Sequence, residues 1–158
     1  MPLKNPIFRL ISRLAEEQGV EAYVVGGYVR DYYLRRPSTD VDVVVVGSGV
    51  KLAEALGREL KTKVSIFKTY GTAMLRTRDG VEVEFVGARK ESYTPESRNP
   101  HVEAGTLEDD QLRRDFTINA LAWSLRADRF GELVDPFGGM EDMEDCLIRT
   151  PCDPDVTF

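Results

Sequence analysis

Apolar residues recur along the first sixty positions at two different periods. Ile7, Leu10, Ile11 and Leu14 fall at helical spacing, and Leu52, Ala53, Leu56 and Leu60 do so again within 50–60. Between these predicted helices lie two apolar runs, "EAYVV" and "VDVVVV", which read as strands. Gly26 and Gly27 end the first run, and "GSG" ends the second. "YVRDYYLRR" between them reads as a short helix stopped by Pro37. "KVSIF", "TAMLR" and "VEVEFVG" predict three further strands, the last two joined through the Asp-Gly of "TRDG", a strong hairpin signal.

Residues 88–112 are polar, contain two prolines and show no period, so the pattern predicts a long mobile loop there. "DFTINALAWSL" predicts a helix with Phe116, Leu121 and Leu125 inward. "GELVDPFGG" predicts a short strand or turn, and "MEDMEDCLI" a last acidic helical segment. Strands and helices mix without regular βαβ alternation, which predicts an α+β or mixed-sheet α/β domain, and the length suits one domain.

Composition narrows the class. The chain has 158 residues, of which 42% are hydrophobic and 30% charged, a globular balance. No apolar run reaches membrane-spanning length, and the charged N-terminus lacks a signal-peptide core, so the expected compartment is the cytoplasm. Cys146 and Cys152 make neither a disulfide framework nor a zinc spacing, and His101 is the only histidine, which excludes metal sites built on histidine clusters. The net charge of −6 is unevenly spread: residues 1–102 carry 16 Lys/Arg against 13 Asp/Glu, and residues 103–158 carry 5 against 14. An acidic total argues against strong gripping of a nucleic acid backbone by the chain alone, but leaves room for a local basic site in the first half.

The candidate chemistry begins at Asp40 and Asp42. Aspartate is depleted in strands, yet these two stand where a core strand begins, two residues apart and therefore on one face. Hard oxygen ligands in small number suit Mg²⁺, and two such ions can stabilise the attacking and leaving oxygens of phosphoryl transfer. Glu82 and Glu84 in "VEVEF" also share a face, so alternation leaves both open as a third carboxylate. Thirteen residues upstream of Asp40, "VVGGYVRD" runs from strand through Gly-Gly into a helix start, with Arg30 one turn inside, an arrangement that suits a phosphate. In "LRRDFTINALAW", Asp115 reads equally well as an N-cap, whereas Arg113 and Arg114 oppose the helix dipole and fit an anionic ligand better.

"GGYVRD…DVD", "RRDFTINA" and "LVDPFGG" together resemble the signature motifs of class II tRNA nucleotidyltransferases, the CCA-adding enzymes and bacterial poly(A) polymerases, over roughly residues 20–150. The resemblance implies a DNA polymerase β-like fold, a small mixed sheet flanked by helices. It implies that Asp40 and Asp42 bind two Mg²⁺ and activate an RNA 3′-hydroxyl, with Glu84 as third carboxylate, five residues before Arg89 in an E-x-x-x-x-R pattern. Gly26, Gly27 and Arg30 would hold the triphosphate of CTP or ATP; Arg114, Asp115 and Asn119 would bind the nucleotide. The implied partner is the 3′ end of tRNA.

One departure matters. The family continues into a helical neck with a base-reading E-D-x-x-R motif, then into body and tail domains. "EDCLIR" has three residues between Asp145 and Arg149 where that motif has two. The expectation is thus a catalytic head, residues 1–158, cut from a longer enzyme. Its uncovered apolar surface would be able to pair with a second copy. Poly(A) or partial-CCA addition, a minimal stand-alone nucleotidyltransferase and a nucleotide-binding module with a decayed site are the competing expectations.

Overall fold

The computed structural model describes residues 3–67, 71–92, 101–112 and 120–144. Helix α1 (Pro6–Gln18) starts where the Asn5 side chain accepts a hydrogen bond from the Ile7 amide at 3.0 Å, with Pro6 in the first turn. It stops at Gly19, whose φ of 69° is the left-handed conformation that glycine adopts without steric cost. The chain then runs through β1 (Glu21–Val25), α2 (Gly27–Tyr33), β2 (Asp40–Val46) and α3 (Gly49–Leu60). Ser48 caps α3 by accepting from the Lys51 amide at 3.2 Å. Three strands follow: β3 (Val64–Phe67), β4 (Thr72–Arg76) and β5 (Glu82–Gly87).

The seven-stranded sheet has the order β3-β4-β5-β2-β1-β8-β9, where β8 is Ala122–Ser124 and β9 is Leu133–Val134. Among the described strands the parallel neighbours are β2 and β5, and α3 lies in the crossover between them. The expected mixed sheet flanked by helices is what the structure contains. Val41, Val43 and Val45 of β2 pack with Val83 and Phe85 of β5 against Ile11 of α1 and Leu52 and Leu56 of α3. Trp123 is fully buried on this face, and its indole N–H donates to the Tyr33 hydroxyl at 3.0 Å. Val44, Val25, Tyr23 and Ala122 face the other way, under Leu107 of α4 (Leu107–Leu112). Burial raises the Tyr23 and Tyr28 phenols above their ordinary pKa, and at Tyr23 a 3.0 Å hydrogen bond to Glu21 adds to the rise.

Two sequence expectations are corrected. Residues 122–124 form β8, antiparallel to β1, rather than part of a helix. Every residue from Leu121 to Leu125 is buried, so neither helical nor alternating period is visible, and pairing with β1 overrides the helix propensity of Ala and Leu. The expected loop at 88–112 instead carries β6 (Arg89–Ser92), β7 (His101–Ala104) and α4; the first two pair as an antiparallel ribbon. "RKES" has no apolar residue and "HVEA" only two, at Val102 and Ala104, so the alternation is too short to mark a strand. The "DPFGG" segment behaves as expected of a turn. Asp135 accepts from the amides of Gly139 at 2.7 Å and Met140 at 3.0 Å, starting α5 (Gly139–Glu144).

Candidate active site

Strand β2 places Asp40 and Asp42 on the sheet face opposite its core valines, Asp40 exposed and Asp42 half-buried. The parallel ladder sets Asp40 beside Glu82 and Asp42 beside Glu84. Four carboxylates therefore occupy one face across two neighbouring strands, whose spacing is about 4.8 Å. On the far side of β5, Arg76 stands opposite Glu82 and Met74 opposite Glu84. Arg76 forms a salt bridge with Glu82. Glu82 thus has a cation beside it, whereas Glu84 lies between a thioether and Asp42. Sequence spacing leaves these two glutamates equivalent, and nothing in the sequence marks Arg76. Only the β4–β5 register exposes its part.

Across the other edge of β2, Val25 of β1 pairs with Asp42, and Gly26 follows it directly. Gly26 has φ 74° and ψ −140°, a conformation open essentially to glycine alone. Its amide donates to the Leu121 carbonyl at 3.3 Å, tying the turn to the residue before β8. A side chain at Gly27 would bring a Cβ to 3.3 Å from Nη2 of Arg30. The Arg30 guanidinium is therefore folded over the glycine, and its Nε donates to Asp31 at 3.1 Å. The end of β1, from which the glycine pair runs, lies beside the start of β2 and its carboxylates. Arg114, Asp115 and Asn119 lie outside the described residues, as does Arg113.

The neighbouring anchor of that segment is described. Gln111 is 1% exposed, and its Nε2 donates to the Ala120 carbonyl at 2.7 Å and the Val134 carbonyl at 3.2 Å. A buried amide with two acceptors fixes α4 to β9 and to the residues leading into β8. Gln111 carried no sequence signal, because glutamine in an acidic helix reads as a solvated position.

Among the described residues, no three His, Cys, Asp or Glu side chains converge as a ready-made metal centre. The donor set nevertheless suits Mg²⁺. Two hard carboxylates on one face, with a third in register, match an ion that keeps several waters and completes its shell with phosphate oxygens.

Comparison with known proteins gives this arrangement a context. The A-adding tRNA nucleotidyltransferase of Aquifex aeolicus is 43% identical over 130 residues, covering 82% of this chain and 16% of its own length. The CC-adding tRNA nucleotidyltransferase of Deinococcus radiodurans is 41% identical over 129 residues, covering 82% and 34%. A CCA-adding enzyme solved in an apo form superposes with a TM-score of 0.84 at 37% identity, over 92% of this chain and 34% of that one. The chain thus spans about a sixth to a third of the length of these relatives. The Poly A polymerase head domain family matches residues 22–149. With that match spanning most of the chain, and with a nucleotidyltransferase-type fold around its carboxylate face, the protein belongs to the Poly A polymerase head domain family.

Proposed function

We propose that this chain is the catalytic head of a template-independent nucleotidyltransferase that adds CMP and AMP from CTP and ATP to the 3′ end of tRNA. The observation that carries this reading is the parallel β2–β5 register, which aligns Asp40 and Asp42 with Glu82 and Glu84 on one open face. Asp40, Asp42 and Glu84 would hold two Mg²⁺. When bound, these ions supply charge stabilisation for the attacking and leaving oxygens. The terminal ribose hydroxyl attacks the α-phosphorus, forming one P–O bond. The α–β phosphoanhydride bond breaks and pyrophosphate departs. A carboxylate of this face accepts the hydroxyl proton. Gly26, Gly27 and Arg30 orient the triphosphate, Arg30 through a guanidinium fork suited to phosphate oxygens. Arg114, Asp115 and Asn119 bind the nucleotide. Base selection and the grip on the tRNA body belong to parts of the enzyme outside the matched stretch, consistent with the similar heads of A-adding, CC-adding and CCA-adding relatives. The cytoplasm is the proposed compartment; among the described residues no helix is long and apolar enough to cross a membrane.

A narrower reading, addition of the terminal A alone, is favoured by the 43% identity to the Aquifex A-adding enzyme. The protein carrying this head, incubated with Mg²⁺ and labelled CTP or ATP, distinguishes the two on tRNA ending before CCA and on tRNA ending in CC. CCA addition labels the first tRNA with CTP; A addition labels only the second, with ATP. Asp42→Ala should lower either activity at least about a hundredfold, roughly 2.7 kcal/mol in the barrier, without loss of the folded circular dichroism spectrum. Turnover near wild type in that variant would remove the carboxylate face from the mechanism.

A further inference from the structure

The carboxylate face does not end at β5. Beyond it, β4 presents Met74 and Arg76, and the edge strand β3 presents Ser65 and Phe67 on the same side, paired with Met74 and Thr72 respectively. Lys63, just before β3, lines a cavity of about 220 Å³ together with Ser65, Met74, Arg76 and Glu82. Read outward from Asp42, the surface changes from acidic to basic and aromatic across three strand spacings, about 14 Å. Phe67 is 47% exposed on this side. Ser65 stands two residues from this ring, and Lys63 and Arg76 lie on the same side about 13 Å further along the strands. An exposed aromatic ring with cations a nucleotide or two away has the chemistry of a single-stranded nucleic acid platform, on which a base stacks while its phosphates meet positive charge.

Direction follows from phosphoryl transfer itself. The attacking and leaving oxygens stand roughly in line on opposite sides of the phosphorus. On the β1 side of Asp42, the glycine pair follows Val25, the strand partner of Asp42, and Arg30 is folded over Gly27. If the pyrophosphate leaves toward that side, the acceptor hydroxyl arrives over β5, and the nucleotides behind it run over β4 and β3. We propose that the outward face of β3 and β4 carries the 3′-terminal nucleotides of the RNA acceptor, Phe67 stacking on a base and Lys63 and Arg76 facing the phosphodiester backbone. This placement rests on the nucleotidyltransferase reading above.

The test compares Phe67→Ala and Lys63→Glu with Ile66→Ala in the protein carrying this head. Ile66 is 39% exposed but points to the opposite face, so it controls for loss of apolar surface at the sheet edge. Phe67→Ala should raise the KM for the RNA acceptor about tenfold, within the range of one lost base stack, and leave the KM for the triphosphate within about twofold. Lys63→Glu should raise the acceptor KM and flatten its salt dependence. Ile66→Ala should change neither. Unchanged acceptor KM in both platform variants, or equal rises in both KM values, would overturn the platform while leaving the transferase reading intact. Fluorescence anisotropy of a short labelled single-stranded RNA separates the two ideas further. If wild type binds that RNA and Phe67→Ala binds it more weakly, yet no nucleotide is transferred to any RNA, the platform stands and the transferase reading falls. Wild type failing to bind the labelled RNA would overturn the platform.

Discussion

Strand β2 has two sides that meet different surroundings. Val41, Val43 and Val45 are enclosed by α1, α3 and β5, while Asp40 and Asp42, interleaved with them, face outward beside Glu82 and Glu84. The same contrast repeats in β5, where Val83 and Phe85 are buried and Glu82 and Glu84 are not. Stability and chemistry are thus written on alternate residues of the same two strands. That answers why a core strand tolerates two aspartates at its entrance. They sit where one face has ended its core and turned to solvent, while the other face is already fully packed. A rigid strand pair is a better mount for such groups than a loop, since its ladder fixes their separation.

Substitutions on the two faces should therefore fail differently. The largest effect belongs to the core side. Phe85→Ala removes a fully buried ring and should cost about 3–5 kcal/mol of stability, read as a lower denaturant midpoint, while activity per folded molecule stays near wild type. A large loss of activity with little loss of stability would dissolve the contrast. On the outward side the order reverses. Glu84→Ala should lower turnover about a hundredfold and leave the midpoint nearly unchanged, whereas Glu82→Ala, which removes the partner of Arg76, should lower it only severalfold. Steady-state kinetics on both variants sharpen the comparison, and equal losses would show that Arg76 does not distinguish the glutamates.

The smallest effect concerns the middle of β1 and the start of α2. Tyr23 and Tyr28 have phenols raised above their ordinary value by burial, so the folded protein favours their neutral forms more than the unfolded chain does. Their contribution is complete below the ordinary tyrosine pKa of about 10 and is lost as pH climbs through the raised folded values. Melting temperature should stay flat in this respect up to about pH 10 and then fall, with a gentler fall in Tyr23→Phe. An unaltered slope in that variant would remove Tyr23 from the alkaline transition.

Much of the sheet was legible because the relevant signals are local. The valine run of β2, the alternation of β5 and the Asp-Gly of the β4–β5 turn need no partner to be recognised. Strand β8 was misread because burial on both faces erases its period, and the Leu and Ala around Trp123 suit a helix equally well. The β6–β7 ribbon is not legible because "RKES" has no apolar residue and "HVEA" alternates over only four positions. The site divides in the same way. Asp40 and Asp42 declare a common face by spacing alone, but the separation of Glu82 from Glu84 depends on which residue of β4 lies opposite each. That is a property of register, set by strands far apart in the chain.

The parallel pairing of β2 with β5 also has a kinetic consequence. Asp42 and Glu84 are separated along the chain by α3, β3 and β4, so their ladder forms only after a long excursion has closed. Contacts between distant residues repay their loop entropy late in folding, and parallel ladders are slow to form. This ladder is also the one that draws like charges together. A divalent cation bound there would stabilise the product of that step more than anything before it, slowing unfolding more than it hastens folding. Such an ion would thereby act as a latch on the completed sheet.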